Sequence, residues 1–207
     1  MNLPNTLTLS RIFLVPLLVV VLLTKFEGRN IMGIDVDLVA AAIFALAAGT
    51  DWLDGYLARR RKQITSLGQM MDPLADKMLT SAAFISLVWM DRASAWMVAV
   101  IIGRELAVTA LRSIAYSRGI NLPASPMGKV KMVAEVVAIL GMLLGRKPEG
   151  SLLAAALDLI SGHQQGGALY LTGVAALWVA VITAVLSATF YYQKFMRAQG
   201  PNARLKS

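Results

Sequence analysis

Six apolar runs, each near the length a helix needs to cross a bilayer, dominate this chain; they cover residues 12–23, 38–57, 72–90, 96–116, 127–144 and 169–195. A span takes about 20 consecutive apolar residues. No water inside lipid satisfies backbone N–H and C=O groups, so each run is expected to close its hydrogen bonds internally, as an α-helix. The two-residue alternation of a membrane β-barrel is absent. Hydrophobic residues make up 57% of the 207, which leaves too little polar surface to cover a soluble domain of this size. The expected fold is all-α: an integral membrane bundle of six transmembrane helices, in one domain over residues 1–207.

The formal net charge is +8, from 20 Lys and Arg against 12 Asp and Glu. On a soluble protein such an excess would suggest nucleic acid. Here the bases gather at the ends of apolar runs, where they face anionic membrane lipid and set orientation, so no nucleic-acid partner is expected. Arg59–Lys62, Arg118 with Lys129 and Lys131, and Lys194 with the basic tail fall on the side of the termini. Lys25, Arg29, Arg92, Arg146 and Lys147 fall opposite. That balance puts both termini in the cytoplasm. Met1–Asn5 lacks a basic n-region and no small-residue cleavage site follows, so the first run is expected to be a retained helix and not a signal peptide. Without Cys there is neither a disulfide framework nor a thiolate metal site. A short amphipathic helix over Leu152–Ile160 and a solvated His163 are expected on the far side.

Charged side chains at bilayer depth cost roughly 2.5–3.5 kcal/mol on insertion scales and tend to be functional. Four aspartates lie at the junction of the second and third runs: Asp51, Asp54, Asp72 and Asp76. The first two are spaced i, i+3 and the last two i, i+4, so each pair shares a helix face. A short antiparallel connection would bring the faces together. Four carboxylates so close repel one another and would bind protons unless cations intervene. Oxygen-only ligands suit Mg²⁺, Mn²⁺ or Ca²⁺, and two ions about 3.5–4 Å apart match the arrangement used for phosphoryl transfer. The competing account is an interfacial salt-bridge network with Arg59, Arg60, Arg61 and Lys62. Gly55 and Ala58, on the Asp51 face, leave room for a ligand or equally for close helix packing.

The stretch from Asp51 to Asp76 has the form D-x2-D-G-x2-A-R-x8-G-x3-D-x3-D. On this pattern, kept at every fixed position, the chain resembles the CDP-alcohol phosphotransferase family, whose members are six-helix membrane bundles. The resemblance implies that Asp51, Asp54, Asp72 and Asp76 surround two divalent cations, Mg²⁺ or Mn²⁺, that hold the pyrophosphate of a CDP-linked lipid. It also implies that Asp76 is the general base for the acceptor hydroxyl. Gly55, Ala58, Arg59 and Gly68 would contribute to the CDP site, Arg59 having a plain topological role as its alternative.

A second charged set lies within the later runs: Arg104, Glu105 and Arg112 in the fourth, with Lys129 and Lys131 opening the fifth. Arg104 and Arg112, eight apart, fall on nearly one helix face, with Glu105 as an ion-pair partner to orient them. Such a patch suits a phosphorylated acceptor, since Arg can bind phosphate in a bidentate way. Snorkelling to the interface is the alternative, strongest for the two lysines. Asn2–Arg11, Gly103–Arg112 and Ser125–Lys131 resemble the bacterial branch of the family whose acceptor is glycerol 3-phosphate. That resemblance implies CDP-diacylglycerol as donor, phosphatidylglycerophosphate and CMP as products, the bacterial inner membrane as location and a homodimer as assembly. Asn5, Thr8 and Arg11 are candidates to line the nucleotide or acceptor site, with helix capping and interface anchoring as the alternative. Two other readings compete: a transferase of the same family acting on inositol phosphate or serine, and an ion-coupled transporter.

Overall fold

The structure, a computed structural model, describes the backbone of residues 3–24, 30–31, 34–61, 66–118, 126–145 and 165–199, and the side chains of 13–24, 34–50, 77–118, 127–145 and 167–196. Those residues form six α-helices: α1 (Leu3–Leu23), α2 (Val36–Arg61), α3 (Ser66–Trp89), α4 (Ala95–Ser117), α5 (Pro126–Leu144) and α6 (Gln165–Gln199). Between α1 and α2 a two-residue antiparallel pair, β1 (Asn30–Ile31) and β2 (Ile34–Asp35), sets Asn30 opposite Asp35. The helix expected over Leu152–Ile160 and His163 lie outside the described residues.

The helices follow the apolar runs, with one informative shift. The third begins at Ser66 and not near Asp72, so Pro73 lies inside it, as Pro16 lies inside α1. Proline offers no N–H to the carbonyl four residues back, a loss that bundled membrane helices tolerate because neighbouring groups satisfy the freed carbonyl. A proline near Asp72 is therefore no marker of a helix start here.

α3 ends in a left-handed cap. Asp91 has φ 56°, the Arg92 N–H reaches the Leu87 carbonyl at 2.8 Å, and the Asp91 N–H reaches that of Val88 at 3.0 Å. These are the paired bonds of a Schellman motif, with Asp91 where glycine is usual. The turn delivers Arg92 to a junction of elements. Its guanidinium pairs with Asp37 of α2 and donates to the Met142 and Leu143 carbonyls at 3.2 and 3.3 Å, satisfying the C-terminal end of α5. Tyr170 of α6 donates its hydroxyl to the Arg92 carbonyl at 2.9 Å. One residue thus ties four helices together at this end of the bundle.

α5 and α6 approach backbone to backbone. A Cβ on Gly145 would sit 2.2 Å from the Tyr170 nitrogen, and one on Gly141 would sit 2.7 Å from the Gly173 Cα. Small residues permit such contact between membrane helices. The buried residues of α6 include Tyr170, Gly173, Leu177, Ala180, Ala184 and Ser187, spaced alternately by three and four, which is the seam of a left-handed helix pair. Among the described residues a main core gathers Leu18, Phe44, Phe84, Leu87, Ile139 and Met142. A satellite of Val108, Ala115 and Tyr191 sits between α4 and α6.

Large apolar side chains also stand on the outside. Phe13, Leu46, Leu106 and Val133 are between 64% and 73% exposed, while Lys131 and Glu135 are buried. Trp96 and Trp178 meet edge to face at 5.6 Å on this outer surface. Buried charges beside many exposed large apolar residues depart from the usual pattern of a soluble domain. Among the described residues α6 holds the apolar stretch long enough to cross a bilayer, Gly167–Met196, and the stretches in α1, α2 and α3 are shorter.

Candidate active site

The aspartate signature occupies two consecutive helices. Asp51 and Asp54 lie in the C-terminal part of α2, and Asp72 and Asp76 lie on α3. The two helices are separated by residues 62–65 and pack against each other. The side chains of these four, and of Asn5, Thr8, Gly55, Ala58, Arg59 and Gly68, lie outside the described ones. Among the described residues no group of three or more His, Asp or Glu is placed to hold a metal. The chemistry of the donor set nonetheless fits one: four carboxylates on two touching helices are hard oxygen ligands, as Mg²⁺ or Mn²⁺ requires.

The next residue along α3 opens a polar layer that crosses the bundle. Lys77 donates to Thr109 Oγ1 of α4 and stands 3.7 Å from Glu105 Oε2. Glu105 is the hub, its Oε1 accepting from Arg104 Nη1 at 2.7 Å and from Lys131 of α5. Lys131 also pairs with Glu135 at 2.8 Å, one helical turn on. Arg104 turns its Nε and Nη2 to Ser187 Oγ of α6, at 3.0 and 2.7 Å. Four helices therefore contribute to one network of three cations, two carboxylates and two hydroxyls. Buried charges are tolerable when paired and hydrogen-bonded and costly when a partner is removed, so the layer holds together as a unit.

Its position relative to the apolar interior matters. On α4, Val98 and Ile101 belong to the main core, Arg104 and Glu105 to the layer, and Val108 and Ala115 to the satellite. On α3 the order is Asp72, Asp76, Lys77, then buried Leu79 of the main core. The layer thus floors the end of α3 that carries the aspartates.

Of the residues expected to bind an acceptor phosphate, the structure brings together Arg104, Glu105 and Lys131. Arg112 and Lys129 stand outside the network and are exposed, Arg112 at the far end of α4 from the main core and Lys129 at the start of α5. Arg104 and Lys131 are only 10% and 3% exposed, and their charges are matched within the protein. Lys77, Thr109, Glu135 and Ser187 are members that the sequence pattern does not single out. Lys77 and Glu135 carry a visible signal, a charge inside an apolar run. Thr109 and Ser187 carry none, because a hydroxyl in such a helix commonly bonds its own backbone, as Thr183 does to Val179 at 2.7 Å.

The model of the CDP-alcohol phosphatidyltransferase family matches residues 1–189, a range that takes in the aspartate signature and every residue of the polar layer. The chain belongs to the CDP-alcohol phosphatidyltransferase family. Members similar to it include the CDP-diacylglycerol–glycerol-3-phosphate 3-phosphatidyltransferase of Bacillus subtilis, 40% identical over 198 residues, or 93% of this chain and 94% of that one. Proteins of the same name from Pseudomonas fluorescens and Rickettsia felis are 36% and 30% identical, over 78% and 93% of this chain and 83% and 94% of theirs. As a CDP-alcohol phosphatidyltransferase the chain is a transferase of phospholipid biosynthesis.

Proposed function

We propose that this chain transfers the phosphatidyl group of CDP-diacylglycerol to glycerol 3-phosphate, giving phosphatidylglycerophosphate and CMP, at a bacterial cytoplasmic membrane. The observation that carries the reading is the near-full-length likeness to enzymes named for that reaction, 40% over 93% of this chain in the Bacillus subtilis case. The chain is read as one domain over residues 1–207, with six spans, cytoplasmic termini and a homodimeric assembly. The apolar outer face supports immersion in lipid, where the diacylglycerol tail stays while its headgroup reaches the aspartates.

In this reading the acceptor oxygen attacks the phosphorus that bears the diacylglycerol. The new P–O bond forms as the P–O bond to CMP breaks, and CMP leaves with the electron pair. Asp76 takes the hydroxyl proton. Asp51, Asp54, Asp72 and Asp76 would hold two divalent cations, which supply charge neutralisation at the pyrophosphate. Gly55, Ala58 and Gly68 allow close approach of the nucleotide, with Arg59, Asn5 and Thr8 beside it. Arg112 and Lys129 supply cations for the acceptor phosphate, and Arg104, Glu105 and Lys131 form the braced floor behind them.

The test is CMP release by purified protein in detergent, with CDP-diacylglycerol, Mg²⁺ or Mn²⁺, and glycerol 3-phosphate, inositol phosphate or serine. Release that needs both metal and glycerol 3-phosphate is expected. Release with another alcohol alone would overturn the acceptor, and no release from folded protein would overturn the reaction and favour transport.

A further inference from the structure

We propose that Lys77, which follows Asp76 on α3, is a specificity residue for the phosphorylated acceptor: the polar layer holds its ammonium toward α4 and leaves it a donor for an arriving phosphomonoester. This rests on the acceptor reading above and adds a residue to which that reading gives no role.

The case turns on where the donors go. Arg104 directs Nε and Nη2 to Ser187 and Nη1 to Glu105, and Lys131 is enclosed between Glu105 and Glu135. Neither cation offers much to a ligand. Lys77 has three N–H donors. One goes to Thr109 Oγ1. Glu105 Oε2, at 3.7 Å, is near enough for attraction but too far for a full hydrogen bond. No other described residue takes the rest, and the side chain is 29% exposed, against 10% and 3% for its two fellow cations.

The tether is also directional. Thr109 donates its own proton to the Glu105 main-chain oxygen at 2.7 Å, so its oxygen is left to accept from Lys77. Together with Glu105 it draws the ammonium toward α4. Lys77 follows Asp76 directly on α3, so an acceptor carrying a hydroxyl and a phosphate on one three-carbon skeleton would present the first to the aspartate signature and the second to Lys77. An alcohol without phosphate gains only the first contact.

The experiment measures KM for glycerol 3-phosphate and for CDP-diacylglycerol, and turnover with plain glycerol, in wild type, Lys77→Met, Lys77→Arg and Thr109→Val. Loss of a charge-assisted bond predicts a rise of about 10–100-fold in KM for glycerol 3-phosphate in Lys77→Met. The lipid KM stays near wild type, the preference for glycerol 3-phosphate over glycerol falls in step, and Lys77→Arg restores part of it. A plain counter-charge to Glu105 predicts instead lowered thermal stability with both KM values unmoved, and that result overturns the proposal. Should Lys77→Met not fold, Thr109→Val decides: a rise of about 3-fold in the same KM supports the proposal and an unchanged KM overturns it. Wild-type turnover only with an unphosphorylated alcohol would sink the acceptor reading and this proposal together. Wild-type turnover with glycerol 3-phosphate and an unmoved KM in Lys77→Met sinks this proposal alone.

Discussion

Arg104 on α4 aims two nitrogens at a single oxygen on α6, Nε at 3.0 Å and Nη2 at 2.7 Å from Ser187 Oγ. That oxygen is fully buried and itself donates to the Ala184 carbonyl at 2.9 Å, so its hydrogen points back along α6 and its lone pairs face the guanidinium. Replacing Ser187 with Ala leaves two buried donors with nothing to reach. The expected loss is about 1–3 kcal/mol, read as a lower thermal midpoint of the purified protein in detergent. An unchanged midpoint would mean that water or a rotated Arg104 takes over the contact.

Asp76→Asn keeps the size and most of the polarity of the side chain while removing its capacity to take a proton. CMP release is expected to fall by at least about 100-fold, with elution volume and thermal midpoint as in wild type. Normal turnover would remove Asp76 from the role of base.

Arg112 stands outside the braced network and is not enclosed as Arg104 is. Arg112→Ala is expected to raise KM for glycerol 3-phosphate by about 10-fold or more while leaving KM for the lipid near wild type. Equal changes in both would assign Arg112 to anchoring at the membrane surface.

Two glycine substitutions should act in opposite directions. Gly141→Leu drives side-chain atoms into the Gly173 backbone, where even a Cβ would stand 2.7 Å from the Gly173 Cα, and should cost at least about 1–3 kcal/mol as overpacking. A Cβ on Gly49, in α2, would meet nothing within 4 Å, so Gly49→Ala should stabilise by about 0.5–1 kcal/mol through helix propensity. Thermal midpoints of the two variants against wild type check both signs.

The helices were legible because long apolar runs without a two-residue alternation favour a helix, and their ends in α4 and α5 fall within a residue of the expected ones. α6 reaches past Leu169 and Phe195 to Gln165 and Gln199, since helical hydrogen bonding outlasts the hydrophobic stretch that announces it. Pro73 misled for the opposite reason: in a bundle a proline marks a helix start less strictly than in water. The pairing of Arg104 with Glu105 could be read from two adjacent charges in an apolar run. The separation of Arg104 from Arg112 was legible too, but the sequence reading puts the two on nearly one face. Eight residues turn a helix by about 80° beyond two full turns, enough to place one in the braced interior and the other beside it. Ser187 became a site member only when α6 lay against α4, a long-range fact that no local pattern carries.

Where Gly141, Gly145 and Gly173 meet, α5 and α6 touch through main chain alone. Nothing smaller than hydrogen exists to substitute there. On the outer surface Val133 and Ile182 face away from the protein, and one hydrocarbon there is much like another. A saturation library scored for activity should therefore divide sharply within a single helix. The outward positions should drift freely among apolar residues, while the three glycines admit none, so that tolerance alone would trace which side of α5 and of α6 faces outward and which meets protein.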